Sequence, residues 1–212
     1  GKIMLGLIKK DLLIIKNNIK FAIVFIVVFA FFSEQNSEIL YFVPIFLSTM
    51  LFISTFSYDD YNKWDAYACT LPQGKRNVVK AKYLASLLLT LIAVLVTLIL
   101  GLIIGGINKN FDAKEMLEII SGVVVAIVLL QSIMFPLMYK FGVEKGRIGI
   151  FLGVFGMSGL IGFLFKYLNI KIPNNVIQTF NDYWFIILPI IVILMILVSY
   201  NVSKKIYLKK EF

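Results

Sequence analysis

The residues whose types and spacing carry most chemical information fall in one stretch, Asp59–Lys82. With its neighbours it reads Tyr58-Asp-Asp-Tyr-Asn-Lys-Trp-Asp-Ala-Tyr-Ala-Cys-Thr-Leu-Pro-Gln-Gly-Lys-Arg-Asn-Val-Val-Lys-Ala-Lys-Tyr83. Asp59 and Asp60 suit the cap of a short helix beginning near Tyr61. Trp64, Ala68 and Leu71 recur at helical spacing, which gives that helix one apolar face. Pro72 ends it, Gly74 permits a turn, and Asn77 precedes a second helix. The chemistry is recognition, not bond-making. A short helix with an aromatic anchor, rimmed by Asp59, Asp60, Lys63, Asp65, Lys75 and Arg76, fits a groove on a partner protein. The competing reading rests Tyr61, Trp64 and Tyr67 on lipid headgroups.

Catalytic chemistry finds little support. There is no histidine, the commonest general base and metal ligand. Cys69 is the only cysteine, so no disulfide or thiol pair forms within the chain. Gly74-Lys75-Arg76 lacks the upstream glycine and the hydroxyl of a nucleotide-binding loop. We assign no catalytic residue, metal ligand or cofactor to this chain. No basic patch with interleaved aromatics suggests nucleic acid.

The elements that position this loop are apolar. Hydrophobic residues make up 60% of the 212 positions and mean hydropathy is +0.91, too much for a soluble interior of this size to hide. Runs apolar on both faces predict helices, not a β-barrel. The fold class is therefore an all-α integral membrane protein, one domain over 1–212. An amphipathic helix over 1–18 is expected to lie in the membrane surface, or to extend the first span as a stub. Met4, Ile8, Leu12, Ile15 and Ile19 form its apolar face. Six transmembrane spans follow, at about 19–33, 39–58, 83–107, 116–139, 148–168 and 184–200, with the loop 59–82 between the second and third. Seventeen of the twenty-one Lys and Arg residues fall on one side if both termini are cytosolic. That asymmetry predicts an N-in/C-in topology in a cell membrane.

Within the spans, ionisable residues are nearly absent from the centres, and Lys20, Glu118 and Lys166 are read as lying near ends. This argues against ion channels and proton-driven carriers. Ser48, Thr55 and Gln131 are candidates for a translocation path, although hydroxyls equally bond back to their own helix. Gly149, Gly153, Gly156, Gly159 and Gly162 make a stripe suited to close helix packing or a dimer interface.

The acidic pair after the second span, the short helix, and Leu71-Pro72-x-x-x-Arg76-x-x-Val79-x-x-Lys82-Tyr83 together resemble the permease subunits of ABC-2 type exporters. The opening Gly6-Leu-Ile-Lys-Lys-Asp-Leu-Leu resembles that family's N-terminal elbow helix. The resemblance covers essentially the whole chain. It is strongest toward the small permeases of phenol-soluble modulin exporters of Gram-positive bacteria. It implies a coupling helix in the 59–82 loop, with Asp59, Asp60, Trp64, Leu71, Pro72 and Arg76 contacting a separate cytosolic ATPase that holds ATP and Mg. It further implies two ATPase copies, a second permease chain, identical or paralogous, and the bacterial cytoplasmic membrane. The expected substrate is hydrophobic or amphipathic, such as a toxin or antimicrobial peptide. The alternatives are a membrane immunity or scaffold protein that binds a peptide without transporting it, a secondary carrier and an intramembrane enzyme.

Overall fold

The structure, a computed structural model, describes residues 2–32, 37–70, 74–107, 112–149, 163, 167 and 174–210. These form six helices: α1 (Lys2–Phe32), α2 (Ser37–Tyr61), α3 (Trp64–Thr70), α4 (Gly74–Ile107), α5 (Ala113–Phe141) and α6 (Asn174–Lys209). A further helical stretch, 143–149, follows Gly142. All but α3 and that stretch are long and apolar enough to cross a membrane, which makes five such helices among the described residues. Most of the expected fifth span, 148–168, lies outside them.

Local chemistry sets the element ends. Asp112 caps α5 by accepting from the Lys114 amide at 2.8 Å. Gly142, at φ 81°, closes α5 with its amide on the Met138 carbonyl at 3.0 Å. Pro44, Pro136 and Pro189 sit inside α2, α5 and α6 without ending them. Packing between membrane helices tolerates the lost donor.

Two boundaries depart from expectation. The break near residue 18 is absent: α1 runs unbroken for 31 residues, so of the two readings of 1–18 the structure has the extension of the first span and not a separate surface helix. No glycine or proline interrupts it after Gly6, and the Asn18 amide reaches Ser54 on α2 at 3.4 Å instead of turning back on its own backbone. The second difference is at the loop. The helix carrying Asp59 and Asp60 is α2 itself, which continues to Tyr61. The two aspartates therefore sit in its last turn and do not cap α3. Asn62 and Lys63 make the turn, with Lys63 in the left-handed region at φ 50°.

Two clusters hold the bundle. One joins α1, α2, α3, α4, α5 and α6 around Phe52, Phe56, Val79, Phe135, Tyr139 and Tyr207. The other sits toward the opposite end of α2 and α5, around Leu40, Ile45, Met116 and Ile120. A Cβ on Gly101 would lie 2.6 Å from the Met116 sulfur and 3.0 Å from Tyr41, so a glycine is what lets α4 approach there. Ser199 donates to the Ser132 carbonyl at 2.7 Å, and Tyr139 meets Tyr207 edge-on. Hence α5 and α6 run parallel.

Candidate functional site

The functional candidate is the end of the bundle where α2 gives way to α3. The loop is short: the Asn62 amide bonds the Tyr58 carbonyl, Lys63 bonds Asp60, and Ala66 bonds Lys63, at 3.1–3.2 Å. Two carboxylates in the last turn of α2 oppose its dipole. The fold answers Asp59 with two lysines. Lys10 of α1 donates to Asp59, and Lys82 of α4 lies 2.8 Å from its other oxygen. Lys82 also donates to Asp11 at 3.1 Å and to Thr55 at 2.9 Å. Lys10 reaches Asp11 at 3.2 Å. Asp11 and Lys82 are only 1% and 3% exposed. The result is a neutral, buried cluster of two lysines and two aspartates that ties α1, α2 and α4 together. Buried charges are tolerated only when paired in this way.

The short helix α3 is tied to the same end. Trp64 is half-buried against the core, with the Lys10 ammonium 4.6 Å above its ring. Ala68 is fully buried. Asp65 accepts from the Tyr207 hydroxyl of α6 at 2.8 Å. The face of α3 expected to enter a partner's groove is therefore the face that packs on the chain itself. The exposed side of the junction carries Tyr61 at the end of α2, 89% exposed, and Tyr67 of α3, 58% exposed, with Asp60, Lys63, Ala66 and Thr70 around them. Arg76 is exposed on the first turn of α4. Leu71 and Pro72 lie outside the described residues.

Burial raises the Asp65 carboxyl above the usual 3.8, with the Tyr207 hydrogen bond opposing it. A raised acid favours the folded state below pH 3.8, and that advantage is lost as pH rises through the raised value. Asp65→Asn keeps an acceptor for Tyr207 and removes the desolvated charge. The variant is expected to unfold at an equal or higher temperature at pH 7, with a flatter pH dependence between about 4 and 7. Thermal unfolding in detergent across that range checks it, and a variant less stable at pH 7 than at pH 4 by the wild-type margin would count against burial as the cause.

The proposed path residues lie inside the bundle. Ser48 donates to the Ile45 carbonyl at 2.6 Å and Thr55 to Phe52 at 2.8 Å, each within α2. Gln131 donates to Thr49 at 2.9 Å and Thr90 at 3.3 Å, joining α5 to α2 and α4. All three are buried in this single chain. Of the glycine stripe, only Gly149 is described, and a Cβ there meets nothing within 4 Å. Gly153, Gly156, Gly159 and Gly162 lie outside the described residues. Among the described residues no carboxylate group is arranged to hold a metal ion.

Lys10, Asp11 and Lys82 fall within the quoted motifs, but the sequence pattern gave them no role, and it did not single out Tyr207. One signal was present: Leu7, Asp11 and Ile15 share a helix face, which puts a carboxylate among apolar neighbours. The cluster also resets the depth of α1. Asp11 is level with Asp59, which closes the second span. Counting 1.5 Å per residue, Lys16 lies about 7 Å and Lys20 about 13 Å along α1 from Asp11, toward its apolar part. Lys20 is thus more than two helical turns from the charge cluster.

A sequence model of the family described as "ABC-2 family transporter protein" matches residues 6–208. No curated protein and no solved structure matches the chain.

Proposed function

The chain belongs to the ABC-2 transporter family, and from that premise we propose that it is the transmembrane permease subunit of an ATP-driven exporter in a bacterial cytoplasmic membrane. ATP and Mg belong to a separate cytosolic ATPase, present in two copies. A second permease chain, identical or paralogous, completes the complex. The helix α3 is the coupling helix. The supporting observation is the two-sided character of the α2–α3 junction: Tyr61 at the end of α2 and Tyr67 of α3 are exposed, while Trp64, Asp65 and Ala68 are fastened to α1, α6 and the core. A push on the exposed face reaches α1 and α6 through short contacts. The substrate we infer is hydrophobic or amphipathic, with cytolytic peptides of the phenol-soluble modulin type as the leading class. An apolar exterior with few charges at mid-depth suits such cargo.

The test is co-purification of the tagged chain from native membranes with its ATPase. Two exposed tyrosines at the centre of a contact are worth roughly 1–2 kcal/mol each or more. Tyr61→Ala with Tyr67→Ala should lower ATPase recovery at least about tenfold, while Ile193→Ala on the lipid-facing side of α6 leaves it unchanged. Undiminished recovery from the double variant would sink α3 as the docking element.

A further inference from the structure

We propose that the groove between α1 and the end of α2 binds the phosphate of an anionic phospholipid from the inner leaflet. The groove has a volume of about 360 Å³ and is lined by Gly6, Lys9, Lys10, Leu13, Asn17 and Tyr58, among others. Its chemistry is layered along α1. Lys9 and Lys10 stand at the level of Asp11 and Asp59, which is the cytosolic edge of the second span. Leu13 and Ile14 lie one turn deeper. Tyr58, about half exposed, closes the far wall with an amphipathic ring of the kind that favours the headgroup level. A cationic rim above an apolar floor matches a lipid phosphate above its acyl chains. A soluble anion would leave the floor unused.

The charge around the groove points the same way. Lys9, Lys16 and Lys20 fall within an arc of about 40° on α1 at 100° per residue. That arc lies opposite the buried Leu7, Asp11, Ile15 and Ala22. All three lysines are exposed, and among the described residues none has an ion-pair partner. Cations at this depth extend toward headgroups and gain from anionic ones. The site also borders the charge cluster. Lys10, with a side chain 23% exposed, is the cluster member that faces the groove. A phosphate here competes with Asp59 for the Lys10 ammonium, so lipid occupancy loosens the tie between α1 and the α2–α3 junction. This inference rests on the N-in topology but not on the transport reading: beyond that topology it uses only the groove and the register of α1.

The experiment is native mass spectrometry of the intact chain in mild detergent, titrated with phosphatidylglycerol, phosphatidylcholine and glycerol 3-phosphate. Phosphatidylglycerol should bind at least about fivefold more tightly than phosphatidylcholine, the factor set by one lysine near a membrane anion. Lys9→Gln should remove most of that preference. Gly6→Leu should block the groove without changing charge, and a Cβ at Gly6 meets nothing within 4 Å. Asn17→Leu, at an exposed position, serves if Gly6→Leu lowers the unfolding temperature. Lys205→Gln on the C-terminal part of α6 should bind as wild type. Equal binding of the two lipids would overturn the proposal. So would glycerol 3-phosphate binding as tightly as the lipid, or Lys9→Gln and the groove-filling variants all keeping the preference.

Discussion

Lys82→Met should be the most damaging single substitution in this chain. It leaves Asp11 and Asp59 buried with Lys10 as their only cation, one negative charge in excess. Breaking a buried pair by removing one partner costs about 3–5 kcal/mol. Thr55 also loses the donor that reaches it at 2.9 Å. Because the lysine joins α4 to α1 and α2, the loss appears as separation of those helices, not as local fraying. The expected result is a large fall in folded yield and in unfolding temperature in detergent. A second variant keeps the claim testable when the first fails to fold. Lys82→Met with Asp11→Leu leaves Lys10 and Asp59 as a neutral pair, and apolar replacement of a buried pair is often neutral or stabilising. The double variant should recover most of the lost stability. If the double variant is as unstable as the single, charge balance is not what the cluster supplies.

Gly146→Val should be the next most damaging. A Cβ at residue 146 would lie 3.2 Å from the Met138 Cα and 3.3 Å from its backbone nitrogen. Those atoms belong to α5 and cannot swing aside as a side-chain tip can. The helical stretch 143–149 must therefore lift off α5. Lifting it exposes Val143 and pulls Arg147 from the Ser57 hydroxyl, now 2.8 Å away. Overpacking of this kind costs about 1–3 kcal/mol. Gly149→Val, three residues on, meets nothing within 4 Å among the described residues and is expected within about 0.5 kcal/mol of wild type. Unfolding temperatures of the two variants side by side decide it. Equal effects at both positions would mean that close approach at Gly146 is not the constraint.

The spanning helices were legible because lipid leaves no other way to satisfy a backbone, so an apolar run of adequate length reads directly as a helix. The position of the short helix was legible from Trp64, Ala68 and the turn residues after it. What that helix faces was not. Trp64 looked like an anchor for a partner, yet Lys10 covers it, 54 positions earlier in the chain. Asp59 and Asp60 looked like caps, but α2 keeps its helical bonds through them since Lys10 and Lys82 neutralise the first. Asp11 read as one charge among lysines. Its partner Lys82 is 71 residues away, and no local period encodes such a pairing. Ser48 and Gln131 gave their polarity to the pattern, while their direction, into the bundle, depended on α4 and α5 arriving beside them. Pattern reading finds the elements here; long-range charge pairing decides what each presents.

The depth of α1 has a consequence for the bilayer itself. Its uninterrupted apolar run, Phe21–Phe32, is 12 residues, or about 18 Å. The neighbouring α4 is free of charged residues from Tyr83 to Ile107, 25 residues or about 37 Å. Two helices packed side by side thus ask for hydrocarbon of different thickness, and lipid must thin on the α1 side to meet both. Such hydrophobic mismatch stores strain in the surrounding membrane and makes the chain sensitive to acyl length. Short-chain lipids should settle around α1, and a thick bilayer should press its lysines toward burial, so membrane composition becomes a control on the α1 end of the charge cluster.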